Sequence, residues 1–119
     1  MPVKAKEVSE RIQKKMIAKH CIKLFIEDKE RMVAEAYLYM LHDDKNKDPF
    51  CIVNEITMHY DTVIKNGLGS KLIEMIKDTA IAHKCSRLTV ISESYKRGVN
   101  SLLARSGFGR HGIEFRIQI

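Results

Sequence analysis

With 119 residues, 45% of them apolar and 30% charged, and with only 6 Gly and 2 Pro, the chain fits one ordered domain around one core. That composition excludes a disordered tract or a fibrous repeat, and no apolar run approaches the ~20 residues that span a bilayer. The net charge of +6 permits an anionic partner without identifying one.

Residues 6–19 are expected to form a helix, because Val8, Ile12, Met16 and Ile17 recur at helical spacing between charges. Residues 20–27 alternate and predict a strand. Glu27 to Glu30 make a tight polar turn, and 31–41 form the returning strand, with Met32, Ala34, Ala36, Leu38 and Met40 on one face. A charged loop over 42–49 ends in Pro49. Residues 50–60 are a third strand whose alternation breaks at Asn54 and Glu55. The break predicts a β-bulge or a place where the strand faces a ligand.

An amphipathic helix is predicted over 67–84, with Leu68, Leu72, Met75, Ile76, Thr79 and Ala80 as its buried stripe. A strand over 87–92 and a short helix over 98–107, ended by Gly107, come next. In a last strand, 113–119, Ile113, Phe115, Ile117 and Ile119 are expected inward, and Glu114, Arg116 and Gln118 outward. The order α-β-β-β-α-β-α-β predicts an α/β fold: one domain over 1–119, a mixed (α+β) sheet with parallel and antiparallel pairs, and helices on both faces.

Cys21, Cys51 and Cys85 are odd in number, far apart and free of any C-x-x-C pair. They are expected to be small buried or half-buried thiols in a reducing cytoplasm. The first residues, MPVKAKEVSERIQKK, lack the apolar stretch and small-residue cleavage pattern of a secretory signal. The five histidines show no metal-ligand spacing, so no metal is expected. The positive charge is concentrated in residues 1–23, where seven basic side chains face two acidic ones. A nucleic acid could use that segment. No aromatic residue interleaves its lysines as a base-stacking surface requires, which favours a solvated face.

The most informative stretch is Val63-Ile64-Lys65-Asn66-Gly67-Leu68-Gly69-Ser70-Lys71-Leu72, between a predicted strand and a predicted helix. Two glycines one residue apart let a backbone approach a bulky anion. The unpaired N–H groups of a helix's first turn, with its dipole, suit a phosphate. Alone, the pair also fits an ordinary helix entry, since the dinucleotide fingerprint and the P-loop both need more. The wider order of strand, Lys-Asn-Gly-Leu-Gly-Ser, helix, strand, a short helix closing on Gly107-Phe108, and final strand resembles the GNAT superfamily of acyl-CoA-dependent N-acetyltransferases. The resemblance runs from about residue 20 to 119. The family's pyrophosphate loop, Arg/Gln-x-x-Gly-x-Gly/Ala, stands here as Ile64 to Gly69.

The resemblance implies transfer of an acetyl group from acetyl-CoA to an amine: a protein lysine, an N-terminus or a small molecule. The amides of Lys65, Asn66, Gly67, Leu68, Gly69 and Ser70 would hold the pyrophosphate. The strand around Thr57 and Met58 would pair through its main chain with the pantetheine arm, where family members carry a bulge and splay from the next strand. Lys71, Arg97 and Arg105 would either meet phosphates or solvate the surface. Three positions depart from the family: Ile64 replaces an Arg or Gln, Leu103 stands where many members have a thiolate-protonating tyrosine, and Lys96 where an Asn is often found.

For the chemistry, Glu55 is the candidate base, since a mid-strand carboxylate facing the core would be costly and one facing a cleft could accept an amine proton. His59 is a second candidate, with a ring suited to proton transfer near neutral pH. Tyr95 is the candidate substitute for the missing phenol. A non-catalytic acyl-CoA-binding or interaction module is the alternative reading. A homodimer through the apolar face of the last strand is the expected assembly, if there is one.

Overall fold

The computed structural model describes residues 12–18, 20–42, 45, 47–59 and 66–119. Its centre is an antiparallel hairpin of β2 (Cys21–Asp28) and β3 (Arg31–Leu41). Lys29 and Glu30 form the turn with φ of 52° and 65°. Two successive positive φ values match the right-handed twist of the strands they join. The register sets Ile22 opposite Leu38, Leu24 opposite Ala36 and Ile26 opposite Ala34. All six are buried, and with Met40 they form one apolar face, as the alternation predicts. The other face carries Lys23, Phe25, Glu35 and Tyr37, half-buried. There the Lys23 ammonium lies 3.8 Å from Glu35 and 5.2 Å from the Phe25 ring centroid.

β4 (Phe50–Met58) extends the sheet on the far side of β3. Its Cys51, Val53 and Ile56 join the buried face opposite Met40, Leu38 and Ala36. Between the pairs Leu38–Val53 and Ala36–Ile56, β3 spends one residue and β4 spends two, Asn54 and Glu55. This is a β-bulge at the place where the alternation breaks.

The first expectation that fails is the helix over 6–19. Residues 6–11 and 19 lie outside the described residues, and 12–18 form a strand, β1 (Ile12–Ala18), antiparallel to β2. Ile12 and Met16 are four apart, which places them on one face of a helix and equally on one face of a strand. The register sets them opposite Ile26 and Ile22, and an irregularity between Met16 and Ala18 absorbs Ile17, which had favoured the helix. Most of the basic residues of 1–23 also fall outside the described residues.

Helix α1 (Leu68–Ala82) buries Leu68, Leu72, Ile73, Ile76 and Ala80 into the core. Each such large aliphatic side chain contributes about 1.5–3 kcal/mol. The helix ends in a Schellman turn: Cys85 N–H donates to Ala80 O at 3.0 Å and Lys84, at the position usually held by glycine, has φ 60°. That turn delivers Cys85 to Cys51, and the two are joined in a disulfide. The expectation of three free thiols is therefore corrected. A separation of 34 residues hides the pairing in the sequence, and only Cys21 is free among the described residues.

β5 (Leu88–Val90) then runs parallel to β4, so the five strands lie in the order β1-β2-β3-β4-β5 and the sheet is mixed, as expected. Helix α2 (Arg97–Arg105) buries Val99, Leu102 and Leu103 in the same core as α1. Both described helices thus pack on one sheet face. Helices on both faces were expected, but the segment 12–18, counted as part of a helix, is itself in the sheet.

The final expectation to fail is the strand over 113–119. This segment has no regular pairing, and Ile113, Phe115, Ile117 and Ile119 are almost fully exposed. Alternation supplies a strand's faces, but a strand also needs a partner edge. No helix among the described residues is long and apolar enough to cross a membrane.

Candidate functional site

β4 and β5 stay paired through Cys51–Leu88, Ile52–Thr89 and Val53–Val90, and the Ile91 N–H still donates to Val53 O at 2.8 Å. Beyond that point they separate. β4 continues along β3 through the bulge, while residues 91–93 leave the sheet. The separation opens a cleft of about 380 Å³ lined by Asn54, Glu55, Ile91 and Glu93, and on the outer side by Glu114, Phe115, Arg116 and Gln118. The bulge and splay that the resemblance implies are both present.

Glu55 is an exposed bulge residue that lines this cleft, and its carboxylate is paired with the Lys96 ammonium. Lys96 precedes α2 and is held by that helix's first turn. Its N–H donates to Glu93 O at 3.1 Å, and the Asn100 side-chain amide donates to the same oxygen at 3.0 Å. The Arg116 guanidinium lies 3.5 Å from Glu93 and 2.5 Å from Glu114. The cleft wall therefore alternates carboxylates and cations, a polar lining in which an amine and its proton can be handled.

The other chemical candidates sit elsewhere. His59 is exposed just beyond β4, its N–H donating to Val33 O at 2.9 Å, and it does not line the cleft. Tyr95 sits in the turn before α2, also outside the lining, with 74% of its surface exposed. Leu103 is buried in the core, so the position that carries a phenol in many family members here serves packing.

Among the residues expected to hold pyrophosphate, Lys65 lies outside the described residues, as does the departing position Ile64. Asn66 is exposed, and Gly67 precedes α1 with φ 78° and no side-chain cap. The first turn of α1 has no acidic residue. Its amides point out of the helix at the dipole's positive end, with no carboxylate in that turn. Gly67 has open space around it, whereas Gly69 is buried. A Cβ on Gly69 would meet Leu102 Cδ1 at 2.8 Å and Met58 Cε at 2.9 Å. The two glycines thus answer different demands: one a left-handed backbone, the other close packing of α1 against α2 and β4. Leu68 is buried and Ser70 half-buried. Ser70 and Lys71 open a second groove, about 620 Å³, which continues along α1 past Met75 and borders Lys14 of β1.

Thr57 and Met58 are half-buried on β4 opposite Glu35 and Ala34. From residue 54 onward, β4 has β3 on one side and no described strand on the other. Arg105 is in the last turn of α2, exposed, where a cation complements the negative end of the dipole. Lys77 donates to Ser106 O at 3.0 Å at the same end.

Asn54, Ile91, Glu93, Lys96 and the wall at 114–118 were not anticipated as parts of the site. Asn54 was within reach, since it shares the broken alternation with Glu55. The others meet at the cleft through long-range packing that leaves no local pattern.

No protein-family model matches the chain, and no curated protein does. Solved structures do. A ribosomal-protein-alanine N-acetyltransferase from Brucella melitensis biovar Abortus 2308 superposes with a TM-score of 0.71 at 18% identity, over 86% of this chain and 72% of that one. An aminoglycoside acetyltransferase from an uncultured soil metagenomic sample gives 0.74 at 15% identity, over 87% and 69%. A transcriptional regulator from Bacillus halodurans C-125 gives 0.75 at 12% identity, over 87% and 69%. At these identities the likeness is one of fold, and function rests on the site. The mixed sheet, the bulged fourth strand and its divergence from the fifth give this chain the GNAT fold of the acetyltransferases.

Proposed function

We propose that this chain transfers an acetyl group from acetyl-CoA to an amine, binding both substrates where β4 and β5 separate. The observation that carries the reading is the bulge at Asn54 and Glu55, which puts a carboxylate into a cleft next to an open strand edge. Acetyl-CoA enters as a substrate. Its pyrophosphate meets the first-turn amides of α1 around Gly67, and its pantetheine amides pair with the main chain of β4 near Thr57 and Met58. Lys65, Asn66, Ser70 and Arg105 are the side chains proposed to flank it.

In the chemical step the amine nitrogen attacks the thioester carbonyl, the C–S bond breaks and the thiolate takes a proton. Glu55 accepts the proton lost by the amine, directly or through a water, after its carboxylate releases Lys96. Tyr95 is the proposed donor to the thiolate in place of Leu103, and His59 is the second candidate for the base. Positioning in the cleft supplies the rest of the rate. The acceptor classes are those of the fold neighbours and beyond: a protein N-terminus, a lysine or a small amine. A second reading, a non-catalytic acyl-CoA-binding or interaction module, is favoured by the burial of Leu103.

Calorimetry with acetyl-CoA tests the donor site. Native chain is expected to bind, and Gly67→Glu, which adds bulk and negative charge at the helix start, to lose binding. Glu55→Gln separates the two readings: an enzyme keeps donor affinity and loses roughly 10²–10⁴-fold in turnover. If neither native chain nor variant binds acetyl-CoA, the likeness to the acetyltransferases stops at the fold.

A further inference from the structure

The candidate base of the cleft already holds an amine. The Glu55 carboxylate accepts a hydrogen bond from the Lys96 ammonium, and Glu55 lines the cleft where β4 and β5 separate. Lys96 is not a freely swinging surface lysine, for its side chain is only 20% exposed. Its main chain is fixed on both sides. The Lys96 N–H donates to Glu93 O at 3.1 Å, and the Lys96 carbonyl accepts from the Asn100 N–H at 3.0 Å. The Asn100 side chain braces the same Glu93 carbonyl. The start of α2 thus delivers this ammonium to Glu55. Lys23 and Lys77 are also ion-paired, with Glu35 and Glu74, but neither of those carboxylates lines this cleft.

An acceptor from solution must bring its nitrogen within hydrogen-bond reach of the base, where the thioester carbonyl is presented. Lys96 Nζ meets the first condition with no binding step. A tethered, oriented nucleophile also reacts at an effective concentration far above that of a free amine. We infer that Lys96 is itself an acceptor, and that the chain acetylates it in its own cleft. The inference rests on the acetyl-transfer reading and adds a covalent modification site to it. The Lys96 ammonium loses one proton to Glu55, and Nζ attacks the thioester carbonyl carbon. The N–C bond forms and the C–S bond breaks. The second proton lost by the nitrogen goes to the departing thiolate, and Glu55 passes the first to solvent. The products are the CoA thiol and Nε-acetylated Lys96. That amide carries no charge, so the ion pair with Glu55 is lost. The carboxylate is then open to an amine from solution, which is the release of Lys96 that transfer to an external acceptor requires.

Incubation of the full chain with acetyl-CoA and no added amine tests this by peptide mass mapping. Lys96 is expected to gain one acetyl group, and to gain it faster than the exposed Lys84. Its rate should not depend on protein concentration, because amine and base share one chain. Glu55→Gln should slow the modification of Lys96 roughly 10²–10⁴-fold and that of Lys84 not at all. Calorimetry with acetyl-CoA and circular dichroism check that this variant still binds the donor and keeps its fold. Acetylation of Lys96 no faster than Lys84, equally fast in Glu55→Gln, or rising in proportion to protein concentration overturns the inference. So does a native chain that binds acetyl-CoA or acetylates an added amine while Lys96 stays unmodified, and in that case the acetyl-transfer reading survives. If acetyl-CoA does not bind at all, both fall together.

Discussion

Replacing Gly69 by Ala sets two effects against each other, and the structure decides the sign. In a helix interior, Ala is about 0.8–1.0 kcal/mol better than Gly. Near the helix start, where Gly69 is the second residue of α1, the gain is at most that. Against it, the new methyl would sit 2.8 Å from Leu102 Cδ1 and 2.9 Å from Met58 Cε and Sδ, where ordinary contact begins at 3.4 Å. Leu102 must retreat by about 0.6 Å and Met58 by about 0.5 Å, the differences of those distances. Leu102 has little room to do so, being only 3% exposed. Overpacking of this kind costs about 1–3 kcal/mol. The expected net loss is about 1 kcal/mol, or roughly 4–8 °C in melting temperature for a chain near 100 residues. Urea denaturation of four proteins measures it: native, Gly69→Ala, Met58→Ala and the double variant. Met58→Ala removes one of the two obstructions, so the Gly69→Ala penalty should shrink by about 0.5 kcal/mol or more in that background. A stabilised Gly69→Ala with additive energies would show that propensity, and not contact with α2 and β4, governs the site.

Two further outcomes follow from the backbone and the disulfide. Lys84→Gly places the residue suited to a left-handed φ where α1 ends at φ 60°. It should raise stability by roughly 0.5–1 kcal/mol in the same urea assay. Cys51→Ser removes the Cys51–Cys85 closure across 34 residues and should cost about 2–4 kcal/mol. A reductant should lower the melting temperature of the native chain and leave that of Cys51→Ser unchanged.

How much of this was legible beforehand depended on whether the signal was local. Two-residue alternation in 31–41 named Ala34, Ala36, Leu38 and Met40 correctly as buried on β3, but near the hairpin, where the register with β2 shifts between Ile26 and Glu27, Val33 is buried and Met32 only half-buried. The interrupted alternation at Asn54 and Glu55 marked the bulge on which the cleft depends. The helical stripe of Leu68, Leu72, Ile76 and Ala80 needed no tertiary knowledge. Ile12 and Met16 misled because a spacing of four satisfies both helix and strand, so only the partner strand settles it. For 113–119 the alternation was legible, but the face it was expected to turn inward is exposed, since a partner edge is a property of neighbours. The glycines were read as one device, yet the second role, close packing at Gly69, appears only when Leu102 and Met58 arrive from either side. Likewise nothing near Glu55 in sequence announces Lys96.

The meander of β1 to β4 has a consequence for the order in which this protein assembles. Each of its strands pairs with the next along the chain, so those contacts close short loops and form quickly. β5 reaches β4 only after the whole of α1 has crossed the sheet, a long closure that comes late and reopens first. The cleft exists only when that last pairing is made. Excursions that detach α1, β5 and α2 should thus abolish the site while leaving the antiparallel strands intact. Amide exchange should report faster opening at Leu88–Val90 than at Leu24 or Leu38. The Cys51–Cys85 bond spans this late joint, shortening the search that rebuilds the site after each excursion.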